Sequence, residues 1–389
     1  MPVIAAGRAL ARPLTEFLAW TGAARRARIP TPHPAEGRRA GEQALVVFDL
    51  DQSLLKWEEY NLRIRQEEFA LVARILGEEF AENRVRVALN TGRSLHSIQH
   101  VAHFLAPLPI AVLITGDGQQ IFWNTAGEPA DRWIAALRIR HQDAAWERSH
   151  RGAWNERLAL RRLWRSYRDH GFRPLDRGSF GWSTDVDHLL RYEGRAAVGE
   201  LIAVGTGEGP AVKIRYEPDH VEEVRALTEL VIHQAIEDLA GDGIWALPDF
   251  RSWSPFWSPE PERGYLVAGI KHPTVNKGSP VNWVIAELER LGDRIAGVVP
   301  VGDSGNDEGM IVPGWYTGRD ARPLPNLPIY HDGGNPKDKV LGEIQHQPEM
   351  LIVSPVSVFG RLAGWSPDLP QALRRRFQEL TSRSQDRSR

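Results

Sequence analysis

The sequence contains no cysteine, which excludes several kinds of chemistry before any motif is considered. Disulfides, thiolate metal sites and cysteine nucleophiles all require this residue. A chain without thiols fits a reducing compartment, and we expect a cytoplasmic protein.

The sequence also lacks an excess of either charge and a long apolar run. Its formal net charge is -2 over 389 residues, which gives no electrostatic reason to expect nucleic acid as a partner. No window approaches the roughly 18 uninterrupted apolar residues of a membrane-spanning helix. We therefore expect a small-molecule ligand, no nucleic acid and no membrane, while the oligomeric state stays open.

Short apolar runs alternate with helical stretches from residue 44 onward. ALVVF (44–48), VRVALN (85–90) and IAVLIT (110–115) are typical of buried strands, and the stretches 58–80 and 94–105 are typical of helices. Alternation of this kind predicts the α/β class, a Rossmann-like core with a mostly parallel sheet.

The composition changes after about residue 118, which predicts an inserted α/β cap domain. Nine of the chain's 14 tryptophans follow within about 150 residues. Two long charged helices are predicted near 130–170 and 219–240, and AVKIRYEP (211–218) alternates like a half-exposed strand. The predicted divisions are an N-terminal extension and linker (1–43), the first part of the core (44–118), the cap (119–265), the second part of the core (266–365) and a solvent-facing basic C-terminal helix and tail (366–389).

Four polar segments stand at or near the ends of predicted core elements. They are Asp49 and Asp51 in VVFDLDQSLL, Thr91 in NTGRS, Lys277 in VNKGSP, and Asp303 and Asp307 in GDSGND. Open parallel sheets bind their ligands at the carboxyl ends of their strands, so we expect these segments to meet there.

Phosphoryl transfer explains why these residue types occur together. An attacking carboxylate and a phosphate repel each other unless a cation lies between them, and Mg²⁺ prefers oxygen ligands such as Asp49, Asp303 and Asp307. One aspartate can act as nucleophile, while Asp51 can protonate the leaving group and later activate water. Thr91, the backbone amide of Gly92 and the ammonium of Lys277 can hold phosphate oxygens.

The order DLDQS, NTGRS, NKGSP, GDSGND resembles the four motifs of the haloacid dehalogenase superfamily of phosphohydrolases. The large insert between the second and third motifs resembles the members with a large α/β cap. Among these, GDSGNDEGM, LNTGRS and ITGDGQQIFW (114–123) are most similar to the sucrose-phosphate phosphatase-like group. The resemblance implies that Asp49 is the nucleophile and Asp51 the acid and base. It implies that Thr91, Lys277 and Asn306 bind phosphate. Asp49, the backbone carbonyl of Asp51, Asp303 and Asp307 would then hold Mg²⁺.

Candidate substrate residues are less sharply indicated. Arg93 lies within the second motif, Lys213 matches a cap lysine of that group, and Trp253 and Trp257 could stack on a sugar. One departure concerns the segment before Lys277, where the family has an acidic residue and a proline. Gly269 and His272 stand there instead.

These observations predict a Mg²⁺-dependent phosphatase that acts on a small phosphorylated metabolite, in particular a sugar phosphate, through an aspartyl-phosphate intermediate. Two alternatives remain open at this point. A sugar phosphomutase would use the same active site, and a regulatory protein could bind a sugar phosphate without turnover.

Overall fold

The computed structural model describes most of the chain from residue 42 onward. The described residues are 42–51, 53–54, 56–58, 61–63, 66–151, 156–174, 189–192, 200–203, 211–216, 221–254, 264–272, 275–303, 307–311, 316–318, 321–331, 351–353 and 369–387. Among them, no helix is both long enough and apolar enough to cross a membrane.

The described strands fall into two large sheets and one small hairpin. In chain order they are β1 (Glu42–Phe48), β2 (Lys56–Glu58), β3 (Asn61–Arg63), β4 (Val85–Asn90), β5 (Ile110–Thr115), β6 (Gln120–Trp123), β7 (Phe172–Pro174), β8 (Leu189–Tyr192), β9 (Glu200–Ala203), β10 (Ala211–Tyr216), β11 (Leu247–Ser254), β12 (Gly264–Lys271), β13 (Arg294–Gly302), β14 (Ile329–His331) and β15 (Leu351–Val353).

The described α-helices connect and cover these strands. They are α1 (Gln66–Ala81), α2 (Leu95–Val101), α3 (Ala130–Ala136), α4 (Ala144–Arg151), α5 (Glu156–Asp169), α6 (Val221–Gly241), α7 (Ser279–Arg290), α8 (Glu308–Ile311) and α9 (Leu369–Arg387).

The core sheet has the strand order β15-β14-β13-β1-β4-β5-β6. All neighbouring pairs are parallel except β5 and β6, which form an antiparallel edge. β1 lies in the middle and is apolar on both faces: Val46 and Phe48 pack into one core cluster, Leu45 and Val47 into another. A strand buried on both faces is expected for a parallel sheet covered by helices on each side. The predicted α/β class and mostly parallel core are confirmed.

A second sheet forms the inserted unit. Its strands run in the order β11-β12-β10-β9-β8-β7, and every neighbouring pair is antiparallel. Helices α5 and α6 pack together beside it through a cluster that includes Leu163, Tyr167 and Ile232. The chain returns from β12 through the segment carrying Lys277 into α7.

The start of the cap, predicted at residue 119, is too early. β6 is a strand of the core sheet, α3 contributes Trp133 to one core cluster, and α4 contributes Trp146 to the other. Residues through about 151 therefore belong to the core. The prediction was wrong because it took the tryptophan-rich composition as a mark of the cap, whereas three of these tryptophans belong to the core sheet or pack against it.

The helix predicted over 58–80 begins only at Gln66, and β2 pairs with β3 as a hairpin before it. The long helix predicted near 130–170 is divided into α3, α4 and α5. Asp143 explains one of these interruptions. Its carboxylate accepts hydrogen bonds from the backbone N–H groups of Ala145 (2.9 Å) and Trp146 (3.0 Å), which starts a new helix.

Pro300 lies inside β13 although proline removes a ladder hydrogen bond. Backbone groups alternate sides along a strand, and the N–H of Val298 faces Pro325 on the β14 side. The nitrogen of Pro300 faces the same side, where β14 pairs with β13 only from Val301 onward. An isolated parallel bridge joins Val298 to Asn326 just before it, so the proline lies in a gap of the ladder on this side of β13.

The C-terminal helix is a core element, which corrects the predicted solvent-facing interpretation. Leu369, Ala372, Leu373 and Leu380 of α9 are buried in the same cluster as β1 and α1. Gly297 on β13 permits this packing, because a Cβ there would lie 2.5 Å from the Leu380 side chain.

Candidate active site

Asp49 and Asp51 follow the last residue of the central strand β1. The backbone N–H of Asp49 still donates to the carbonyl of Val301 on β13 (2.8 Å), so the ladder continues to this point. Leu50 between them is fully buried in the core. Asp49 is buried, whereas 32% of the Asp51 side chain is exposed. The two-residue spacing thus separates a buried carboxylate from an accessible one.

Asp303 and Asp307 stand beyond the end of the neighbouring strand β13. Both are buried, and the Asp307 carboxylate accepts a hydrogen bond from the backbone N–H of Asp303 (2.9 Å). Gly302 is required at this turn, because a Cβ there would lie 2.6 Å from the Asp307 carboxyl group. The carboxylate of Asp307 therefore lies directly against the end of the strand.

Asp49, Asp303 and Asp307 form a buried carboxylate cluster. Each offers a carboxylate oxygen, and these three atoms lie within 4.8 Å of one another. Carboxylate oxygens are hard ligands of the kind Mg²⁺ prefers, and one to three of them usually hold this ion. The donor set therefore fits a single Mg²⁺ ion.

The pKa values of Asp49 and Asp303 reflect both burial and repulsion between neighbouring carboxylates. Burial raises the pKa of Asp49 to about 8; Lys277 opposes this, while Asp307 and Asp51 add to it. Burial also raises the pKa of Asp303 well above its usual value, and the carboxylates of Asp49 and Asp307 raise it further. A divalent cation would relieve this repulsion and favour the ionised carboxylates.

Lys277 supplies positive charge inside the cluster. Its ammonium donates to Asp49 Oδ1 and to Asp307 Oδ1, at 2.6 Å each, and its side chain is 1% exposed. Burial works against the charged form, but Asp307, Asp49 and Asp117 together raise the pKa of this lysine above its ordinary value. Lys277 is therefore held as a cation beside the predicted nucleophile.

The backbone around Lys277 is fixed by close packing and by a helix cap. The side chain of Asn276 accepts hydrogen bonds from the N–H groups of Gly278 (2.7 Å) and Ser279 (3.0 Å) at the start of α7. A Cβ on Gly278 would lie 1.9 Å from the carbonyl oxygen of Gly309. The absence of a side chain at Gly278 thus lets the NKG segment pack directly against α8.

Thr91 and Gly92 follow the end of β4, the other neighbour of β1. The hydroxyl oxygen of Thr91 accepts a hydrogen bond from the N–H of Arg93 (3.2 Å). A Cβ on Gly92 would lie 3.0 Å from a carboxylate oxygen of Asp117, so this position has little room for a side chain. Thr91 and Gly92 therefore stand at the end of the strand next to β1, on the side of the sheet edge where Asp49 lies.

Arg93 contacts Asp51 rather than standing free. Its guanidinium donates to both carboxylate oxygens of Asp51 at 2.8–3.1 Å, and its other terminal nitrogen donates to the Ser97 hydroxyl (3.0 Å). A two-pronged arginine–carboxylate pair fixes orientation as well as charge. Arg93 therefore orients Asp51 from the start of α2.

The structure brings together eight of the residues singled out in the sequence: Asp49, Asp51, Thr91, Gly92, Arg93, Lys277, Asp303 and Asp307. The others are not tested. Lys213 lies in β10 and Trp253 in β11, and only their backbones are described. Asn306 and Trp257 lie outside the described residues.

Two further residues at the site were not predicted. Asn90 donates from its side chain to the carbonyl oxygen of Lys277 (2.6 Å). Asp117 lies against Gly92 in a left-handed conformation (φ 53°), between Gly116 and Gly118, which also have positive φ. A sequence signal existed for both, because each is a polar residue at or just beyond the carboxyl end of a predicted core strand.

No family model and no curated protein matches this sequence. Solved structures do resemble the fold. A sucrose-phosphatase from Synechocystis sp. PCC6803 is 13% identical, with a TM-score of 0.48 over 88% of this chain and 99% of that chain. A haloacid dehalogenase-like hydrolase from Bacillus subtilis is 11% identical, with a TM-score of 0.45 over 89% and 94%.

A trehalose-6-phosphate phosphatase from Aspergillus fumigatus is 15% identical, with a TM-score of 0.38 over 77% of this chain and 85% of that chain. Phosphatases of the superfamily that the four motifs resemble are thus among the similar structures. With TM-scores below 0.5, these likenesses carry no functional argument, and the function proposed below rests on the site itself.

Proposed function

We propose that this protein is a Mg²⁺-dependent phosphatase of the haloacid dehalogenase type, acting on a small phosphorylated metabolite. The observation that carries the proposal is the ammonium of Lys277 shared between Asp49 and Asp307 (2.6 Å each), inside a cluster completed by Asp303. A simple structural ion pair would need one carboxylate. Three buried carboxylates around one lysine leave negative charge that a divalent cation would balance.

Mg²⁺ held by Asp49, Asp303 and Asp307 would neutralise the charge between the nucleophile and the substrate phosphate. The carboxylate of Asp49 attacks phosphorus, and the bond to the leaving oxygen breaks as Asp51 gives that oxygen a proton. Asp51 then takes a proton from water, whose oxygen attacks phosphorus and releases Asp49. Lys277 stabilises negative charge on the phosphate during both steps.

Asp51 is suited to its role by exposure and orientation. A group that exchanges protons with a leaving alcohol and with water must be reachable, and 32% of its side chain is exposed. Arg93 keeps its carboxylate aimed while Asp49 stays buried. Closure of the cap over the site would exclude bulk water during attack.

The narrower substrate class we propose is a sugar phosphate. The support is the sequence resemblance in motif spacing and in the segment 114–123. Gly269 and His272 stand where that group has an acidic residue and a proline, so the substrate need not be sucrose phosphate itself.

Hydrolysis of an aryl phosphate and of a panel of sugar phosphates tests the proposal. We expect phosphate release that requires Mg²⁺ and stops with chelator, and an inactive Asp49→Asn variant.

Asp293→Asn is the matched control: it removes a carboxylate that pairs with Arg86 at the opposite end of β13 (3.0 Å) and should stay active. Full activity of Asp49→Asn would refute the mechanism. Isomer conversion without phosphate release would indicate a mutase, and tight binding without any turnover a regulatory protein.

A further inference from the structure

Asn90 is a buried polar residue that joins two motifs distant in sequence. It is the last residue of β4, directly before Thr91, and it is fully buried. Its side-chain amide donates to the backbone carbonyl oxygen of Lys277 at 2.6 Å, across 187 positions of the chain. The second motif thus holds the main chain of the third.

This contact leaves the other end of the same side chain unsatisfied. The Oδ1 atom of Asn90 is buried and has no hydrogen-bond partner among the described residues. The amide nitrogen has one further neighbour, the sulfur of Met310 at 4.0 Å. An unpaired buried acceptor costs free energy, and an apolar residue of similar shape would avoid that cost. If Asn90 only filled space in the core, an apolar residue at this position would give a more stable protein.

Lys277 is the residue that gains from the contact. Its ammonium must sit 2.6 Å from two carboxylates at the end of a side chain with four rotatable bonds. Asn276 and Gly278 fix the peptide on its C-terminal side through the cap of α7 and the contact with Gly309. The bond from Asn90 fixes the carbonyl of Lys277 itself and ties it to the strand that carries Thr91.

We propose that Asn90 is a positioning residue, which anchors the main chain of Lys277 so that its ammonium stays between Asp49 and Asp307 and faces the substrate phosphate. The statement that Lys277 faces a substrate phosphate rests on the proposed function. The anchoring of Lys277 does not, and it can be measured without turnover.

Asn90→Leu introduces an apolar side chain of similar size and removes the donor. The substitution removes the unpaired oxygen but also leaves the carbonyl of Lys277 without this donor. These two effects on stability oppose each other, so we expect a melting temperature close to that of the wild type. Without the anchor, Lys277 should sample positions outside the carboxylate cluster. Its labelling by acetic anhydride, followed by peptide mass spectrometry and referred to Lys271 in the same sample, should rise at least about threefold. In the hydrolysis assay, kcat/KM should fall about ten- to a hundredfold.

Asn124→Leu is the matched control. The side chain of Asn124 also donates to backbone carbonyls, those of Ile110 (3.0 Å) and Glu128 (2.8 Å), at the opposite end of β5. Its loss should lower the melting temperature while Lys277 labelling and kcat/KM stay near the wild-type values. Asn90→Ser, which is too short to reach the carbonyl, should repeat the effects of Asn90→Leu if that variant does not fold.

Two failures are distinguishable. If the wild type hydrolyses no phosphate ester but Lys277 labelling still rises in Asn90→Leu, the proposed function fails and the anchoring stands. If Lys277 labelling and kcat/KM in the folded variants equal those of the wild type, Asn90 is a structural residue and the inference is overturned.

Discussion

Lys277 is the residue on which the electrostatics of the carboxylate cluster depend most. It is buried and within 2.6 Å of both Asp49 and Asp307. Removing one partner of a buried ion pair costs about 3–5 kcal/mol, because the opposite charges stay buried without compensation. For Lys277→Met we therefore expect a lower free energy of unfolding in chelator, by about 3 kcal/mol, and phosphatase activity reduced at least about a hundredfold.

Denaturant unfolding and aryl phosphate hydrolysis measure these two effects. Mg²⁺ should restore part of the stability of Lys277→Met but not its activity, since the ion can neutralise the cluster yet cannot take the place of the ammonium beside the phosphate. Lys271→Met, at the end of β12, is the control and should change neither quantity much. Unaltered stability and turnover in Lys277→Met would show that the lysine does not hold the cluster together.

Gly278 and Gly77 allow a paired test of close packing at the site. A Cβ at Gly278 would meet the carbonyl oxygen of Gly309 at 1.9 Å, whereas nothing lies within 4 Å of a Cβ at Gly77 in α1. Gly278→Ala should therefore push the third motif from the fourth and lower both stability and activity. Gly77→Ala should stabilise by about 0.5–1 kcal/mol, the ordinary gain of alanine inside a helix. Thermal unfolding compares the two; equal effects would contradict the packing argument.

At this scale the sequence predicted which residues lie together but not their contacts. Asp49, Asp303, Asp307 and Lys277 were singled out because phosphoryl transfer needs carboxylates for a metal and a cation for the phosphate, and the structure places them in one buried cluster. Their roles stay predictions. The bond of Asn90 to Lys277 and the pairing of Arg93 with Asp51 depend on which loops meet in space. Spacing along one chain does not contain that information.

The elements of the core differ in how well the sequence predicted them. The strands 85–90 and 110–115 have the predicted bounds, because apolar runs end abruptly at polar residues there. The hairpin of β2 and β3 was mistaken for helix, since its short segments carry no strict alternation. The division of 130–170 was missed because Asp143 was not recognised as a cap, although its carboxylate accepts from two backbone N–H groups.

Helix α9 gives an element-scale prediction, because its sequence is basic and its inner face is buried. Leu373 is fully buried on the core, whereas the neighbouring Arg374 is exposed. Leu373→Ala should cost about 2–5 kcal/mol through lost burial and the cavity left behind. Arg374→Ala should change the free energy of unfolding by less than about 0.5 kcal/mol. Urea unfolding of both variants measures the difference, and a neutral Leu373→Ala would mean that α9 does not pack on the sheet.

For the whole molecule, the crowded cluster links stability to pH and to metal. Burial raises the pKa of Asp49 to about 8 and that of Asp303 well above its ordinary value. A carboxyl whose folded-state pKa exceeds its unfolded value binds protons more tightly in the folded protein. Its contribution to stability is complete below the unfolded pKa and is lost as the pH rises through the folded pKa. Without metal, the free energy of unfolding should therefore fall as the pH rises towards about 8.

Divalent metal should reverse this dependence, because an ion bound by ionised carboxylates takes the place of the protons and stabilises only the folded state. We expect unfolding in chelator to require less urea at pH 8.5 than at pH 5.5, and Mg²⁺ at millimolar concentration to remove most of the difference. Asp303→Asn should flatten the pH dependence in chelator and weaken the response to Mg²⁺, since it removes both a titrating group and a ligand. A stability in chelator that rises between these pH values, with no response to Mg²⁺, would contradict the three-carboxylate metal site.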